Sequence, residues 1–178
     1  MTDRTRRFEA ATLPHLDAAF NLARWLLRDE QSARDVVQEA YLRAFRFFDG
    51  FRGGDARPWL LGIVRNACYT WLRDSGRGAE CVEFDEERDS LEQGPGIENL
   101  AHSPEQLLLQ KVERARIDAA IEELPPVFRE VLILREIEEM TYDEISQVAA
   151  IPAGTVMSRL ARARALLRTA LGRPDKER

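Results

Sequence analysis

At 178 residues, with 44% hydrophobic and 32% charged residues, the chain suits one ordinary domain or two small ones and is too well mixed to be disordered throughout. Two cysteines (Cys68, Cys81) and two scattered histidines exclude a disulfide framework and a metal-ligand spacing, and the net charge of −5 argues against a nucleic-acid partner until the charge is mapped. The basic start "MTDRTRR" leads into no apolar leader, and the longest apolar stretch, "WLLGIV", falls far short of the roughly 18 residues of a membrane span, so a cytoplasmic protein without membrane insertion, cofactor or metal is expected.

From about Phe8, the positions Leu13, Leu16, Phe20, Ala23 and Leu27 recur at helical spacing. A second helix, with Ser32 as its N-cap, is expected through Val36, Val37, Ala40, Ala44 and Phe47. After the Gly- and Arg-rich loop "FDGFRGGDARP", a third begins near Asp55–Pro58 and runs through Trp59, Ile63, Ala67 and Trp71, where Trp71 reads as plain core. The stretch 76–103 reads as a flexible linker, and from Ala79 to Glu105 nine acids face one base.

Ser103-Pro104-Glu105-Gln106 has the form of a helix start, with Ser as N-cap and Pro at the first position. Leu107, Leu108, Val112, Ile117, Ile121 and Leu124 extend it until Pro125 and Pro126 end it, and a further helix carries Val127, Val131 and Leu134. No strand-like alternation is visible. The expected fold is all-α: two small helical domains at 1–75 and 104–173, an acidic linker at 76–103 between them, and a tail at 174–178.

The last third of the chain answers the question of charge. Thr141 with Glu144 forms a capping box, and Ile145, Val148 and Ala149 make the inner face of the helix it starts. Pro152 and Thr155 open another helix, whose inward stripe is Val156, Leu160, Ala163 and Leu167. That stripe leaves Ser158, Ala161, Arg162 and Ala165 on the opposite side, with Met157, Arg159, Arg164 and Arg168 on the flanks. From Thr155 to Arg178 seven bases face two acids, so an acidic average hides a basic helix. Small outer residues let such a helix enter the major groove while flanking arginines reach phosphates. A helical hairpin with a solvated basic side fits the same pattern. Ala150 sits where glycine often supplies a left-handed turn, at about 1 kcal/mol if alanine adopts it.

"LPPVFREVLILREIEEMTYDEISQVAAIPAGTVMSRLARARALLR" resembles DNA-binding region 4 of bacterial sigma factors, and "SARDVVQEAYLRAFRFFDGFRGGDARPWLLGIVRNACYTWLR" resembles their region 2. Both in that order, without a region 3 domain between them, resemble the extracytoplasmic-function group of the sigma-70 family. The resemblance implies a non-catalytic subunit that binds core RNA polymerase, reads promoter DNA at two elements, helps melt it, and is held inactive by an anti-sigma factor. By motif, Asp35, Gln38, Glu39, Leu42 and Arg43 are the implied contacts to the clamp helices of the largest polymerase subunit. Asn66 matches a position that reads a flipped −10 base, with Phe51, Arg52, Arg57, Trp59 and Arg65 implied to stack or hold phosphates. For the −35 element the implied contacts are Thr141, Tyr142, Thr155, Met157, Ser158, Arg159, Ala161, Arg162, Arg164 and Arg168. Met157 and Ala161 are apolar where relatives often carry basic or bulky residues, so the preferred −35 sequence does not transfer from them.

Two rival readings are a free-standing helix-turn-helix regulator and a sigma-like adaptor without DNA binding. The first gives the "DVVQEAYLRAF" block no role, and the second leaves Asn66 and the arginine-flanked helix unexplained. An acidic linker tethered near a basic helix is further expected to compete with DNA phosphates for its arginines.

Overall fold

The computed structural model describes residues 3–77 and 104–172. The expectations for the acidic stretch from 78 to 103, including Cys81 and the Ser103 cap, and for the tail from 173 onward lie outside the described residues. Among the described residues, all regular structure is helical. Helix α1 (Asp3–Thr12) passes through a 3-10 turn (Leu13–His15) into α2 (Leu16–Leu27), followed by α3 (Glu30–Phe47), a second 3-10 turn (Phe48–Gly50) and α4 (Ala56–Asp74). The second block is α5 (Pro104–Glu122), α6 (Pro126–Glu136), α7 (Tyr142–Ala149) and α8 (Ala153–Leu171).

Local chemistry accounts for most boundaries and for three departures from expectation. Pro14 lies in the first 3-10 turn, where its missing N–H keeps Leu13, expected in one stripe with Leu16, Phe20, Ala23 and Leu27, outside α2. Helix α3 starts before Ser32, because Asp29 is the cap: its Oδ2 accepts from the Ser32 N–H at 2.7 Å and from the Ser32 hydroxyl at 2.5 Å. Those hydrogen bonds hold the Asp29 carboxyl below the usual range. Helix α4 starts where expected, near Asp55–Pro58, with Asp55 as its cap accepting from the Arg57 N–H at 2.9 Å. The third departure is in α5, whose Leu108 and Val112 are exposed instead of joining a core with Ile121 and Leu124.

The two blocks close on each other and share one core. Leu22 and Leu26 of α2, Val36 and Ala40 of α3, and Leu61, Val64 and Cys68 of α4 meet Val131 and Leu134 of α6, Ile145 and Val148 of α7, and Val156 and Leu160 of α8. Gly62 of α4 lies against the α7 backbone, where an added Cβ would sit 3.7 Å from the Val148 carbonyl oxygen. A second cluster surrounds Trp25 of α2 with Ile121, Leu124, Phe128, Leu132, Ile133 and Ala163 of the second block. A third, Phe8, Ala44, Phe48 and Leu60, ties α1, α3 and α4 together.

Arg129 is 1% exposed at this junction. Its guanidinium donates to the carbonyls of Ile121, Glu122 and Leu124 at the end of α5, and to those of Trp25 (2.9 Å) and Leu26 (3.3 Å) at the end of α2. A cation between two helix C-termini satisfies carbonyls that have no partner within their own helices.

Candidate nucleic-acid interface

Helices α7 and α8 form the helix-turn-helix that the pattern predicts. The Thr141 N–H donates to Glu144 Oε2 at 2.7 Å and the Glu144 N–H to the Thr141 hydroxyl at 3.3 Å, closing the capping box. The turn passes through Ala150 at φ 55°, in the left-handed region, and is tied by the Ser146 hydroxyl donating to the Ile151 carbonyl at 2.5 Å. Val156, Leu160 and Ala163 are buried, with Leu167 partly so. That rotation puts Met157, Ser158, Arg162 and Arg168 on the exposed side, with Ala161 half-buried beside them. Thr155 is buried, Thr141 is exposed as the cap, and Tyr142 is half-buried with the Arg135 guanidinium 5.1 Å from its ring centre. Arg159 and Arg164 face acids of α6: Arg159 Nη1 is 3.9 Å from Glu130, and Arg164 Nη2 is 2.6 Å from Glu136.

The second group of expected DNA contacts lies on α4 and the loop before it. Phe51 stacks on Phe48 at 6.0 Å between ring centres and leans on Trp59 at 5.0 Å, so both aromatic rings lie half-buried at the edge of the third cluster. Gly53 (φ 86°) and Gly54 (φ 90°) turn the loop through conformations that side chains resist, leaving Arg52 exposed. Asn66 is exposed one position after Arg65, whose Nη1 donates to the Asn66 side-chain oxygen at 3.4 Å.

Arg57 and Arg65 stand differently. Arg57 Nη2 donates to Glu138 Oε2 at 2.9 Å and to the Glu138 carbonyl at 2.7 Å. Arg65 grips Glu130 with both arms of its fork, Nε at 2.9 Å and Nη2 at 3.2 Å, and lies 4.4 Å from the Tyr69 ring centre. Burial opposes the charge on Arg65, but the Glu130 carboxylate outweighs it and raises the guanidinium's affinity for its proton. Glu130 (0% exposed) and Glu138 (8%) were absent from the sequence reading. A signal for Glu130 exists: "PVFREVLILRE" is apolar around most of a helix, and an acid inside such a run must find a buried partner, whereas Glu138 lies beyond that run.

Helix α3 carries the third group. Asp35, Gln38, Glu39, Leu42 and Arg43 are all exposed along it, Leu42 at 62%, while Val36, Val37, Ala40 and Ala44 face inward. Within the exposed row Arg43 pairs with Glu39 at 2.7 Å. Beside it, Leu16, Phe20, Val37, Gln38 and Tyr41, with Asp17 and Arg34, line an open groove of about 410 Å³ between α2 and α3. The Tyr41 hydroxyl donates to the Thr12 carbonyl at 2.9 Å, and burial, assisted by Asp17, pushes its pKa up to about 12. Cys68 is free and fully buried, and burial lifts its thiol to about 12, which leaves it unreactive near neutral pH. Among the described residues, no three His, Cys, Asp or Glu side chains gather as a metal site, and no helix is long and apolar enough to cross a membrane.

Residues 13–78 match the family model "Sigma-70 region 2", and residues 114–167 match "Sigma-70, region 4". The chain is 37% identical over 132 residues to the ECF RNA polymerase sigma-E factor of Escherichia coli strain K12, covering 73% of this chain and 69% of that one. It is 33% identical over 167 residues to the RNA polymerase sigma-H factor of Pseudomonas aeruginosa, covering 93% and 86%. Among solved structures, it resembles the sigma factor RpoE in complex with the anti-sigma factor NepR from Bartonella quintana, with a TM-score of 0.67 at 25% identity over 93% of this chain and 97% of that one. It also resembles CnrH in complex with the cytosolic domain of CnrY, with a TM-score of 0.63 at 26% identity over 94% of this chain and 88% of that one.

Proposed function

The chain belongs to the sigma-70 family, in its extracytoplasmic-function (ECF) group, and from that premise we propose how its exposed surfaces divide the work of promoter-specific initiation. It is an alternative sigma factor that directs transcription initiation by core RNA polymerase. The units are region 2 at 1–75, which docks on polymerase and handles the −10 element, and region 4 at 104–173, which reads the −35 element. The bond-forming chemistry belongs to the polymerase.

The observation that carries this reading is the α8 surface. A capped helix-turn-helix turns Met157, Ser158 and Arg162 outward, with Ala161 small enough to let the helix approach base edges. Thr141, Tyr142, Thr155, Arg159, Arg164 and Arg168 would hold its register on phosphates or support those that do. On α4, Asn66 reads an extruded −10 base, Phe51 and Trp59 offer rings for stacking, and Arg52, Arg57 and Arg65 supply the positive groove. On α3, Asp35, Gln38, Glu39, Leu42 and Arg43 meet the clamp helices, and the adjacent open groove can take one side chain of that partner. The structural neighbour bound to the anti-sigma factor NepR supports an anti-sigma factor as a further partner.

Run-off transcription with and without core polymerase tests the assignment. Transcripts are expected only with both proteins. Reversing charge at Asp35 and Glu39 together is expected to weaken co-purification with core while leaving the melting temperature nearly unchanged, since exposed charges contribute little to folding. Normal co-purification of that variant would remove the α3 surface from the interface.

A further inference from the structure

Arg57 and Arg65 are eight residues apart on α4, which brings them to one side of the helix about two turns apart. On that side both meet carboxylates of the other block. Arg65 makes a two-armed contact with Glu130, and Arg57 binds both the carboxylate and the backbone carbonyl of Glu138. Asn21 of α2 donates to the same Glu138 at 3.3 Å. A guanidinium fork fits a carboxylate and a phosphate by the same geometry, so one cannot be held while the other is gripped. The two blocks also meet through apolar contact, with Gly62 against the Val148 backbone and Trp25 within the second block's cluster.

We propose that the chain latches its own −10 face: Glu130 and Glu138 occupy Arg65 and Arg57 while the two blocks are closed, and separation of the blocks hands those arginines to promoter DNA. This rests on the reading of Arg57 and Arg65 as −10 contacts. Asn66 and Arg52 stay exposed in the closed form, so the latch withholds the phosphate-holding cations and leaves the base-reading amide in place. Glu130 is also 3.9 Å from Arg159, which links the same acid to the −35 helix. Polymerase can open the latch by binding the two blocks at sites farther apart than the closed form allows, since a ligand shifts an equilibrium by its differential affinity for the two states.

Two full-length variants break the latch by unrelated means. Glu130→Gln with Glu138→Gln removes both carboxylates, and Gly62→Leu wedges α4 from α7 without changing charge. Glu113→Gln with Glu123→Gln makes the same charge change at exposed positions away from the interface. Circular dichroism confirms helicity, and either latch variant suffices if the other does not fold. Small-angle scattering should give a larger radius of gyration for the latch variants. Fluorescence anisotropy with a single-stranded oligonucleotide should show affinity raised about tenfold, within the usual range of coupling between sites. The charge control should match the parent in size. Folded latch variants with the parent's radius of gyration would overturn the proposal. Expansion without any gain in affinity would overturn it too, and would place the fault in the −10 assignment, since the blocks would have opened and freed no DNA contact. That assignment is read separately from holoenzyme, where Arg57→Ala with Arg65→Ala should lower open-complex yield.

Discussion

Ala150 shows how one residue records a compromise between turn and helix. The chain reverses there at φ 55°, ψ 44°, a conformation that costs a residue with a Cβ about 1 kcal/mol and glycine almost nothing. Ala150→Gly is therefore expected to raise the melting temperature by about 2–4 °C, and a thermal melt checks it. Cys68 and Tyr41 set a limit on the alkaline side. Both have folded pKa values of about 12, above the 9.0 and 10.0 of the free groups. Their contribution is fully present below about pH 9 and is lost as pH rises toward 12, because the unfolded chain releases those protons first. Melting temperatures from pH 8 upward should fall beyond pH 9, and Cys68→Ala, though less stable throughout, should fall less steeply over pH 9–10. The turn at Ala150 was legible because its neighbours Ala149 and Pro152 bracket two periodic segments. The partners of Arg57 and Arg65 were not, since the acids that meet them lie 65 and 81 positions away and nothing local points across that gap.

At the scale of elements, α7 and α8 were legible almost to the residue, because capping box, turn and inward stripe all agree. Helix α3 was legible by its stripe but not by its start, since Asp29 and Ser32 are both good caps and only the fold shows which one turns its backbone out of the helix. Helix α5 misleads by composition. Leu108 and Val112 read as part of the helix's apolar stripe, yet they are 65% and 69% exposed, and burial begins only near Ile117. A helix turn without packing is held by propensity alone and opens readily. Hydrogen exchange should thus run in a gradient along α5, with amides at 108–115 exchanging at least tenfold faster than those at 119–122. Uniform protection along the helix in the isolated protein would mean that its first half is covered by something in solution.

For the whole molecule, two blocks in the right order were legible from motif and periodicity, and their shared core was not. Each block has its own apolar stripes, so composition cannot distinguish a core within a block from one between blocks. The closed arrangement holds Arg57 and Arg65 in ion pairs while leaving the α3 face and the outer side of α8 exposed. Free protein is then expected to bind duplex promoter DNA weakly and with steep salt dependence, since phosphate contacts dominate what remains. The chain should give core polymerase the ability to melt a chosen promoter. Permanganate footprinting of a cognate promoter tests it directly. Thymines around the −10 element should become reactive only when chain and core are both present. Asn66→Ala should reduce that reactivity by about fivefold or more, as loss of one bidentate base contact at about 1–3 kcal/mol requires. Reactivity produced by the chain without core, or none from the two together, would contradict the account.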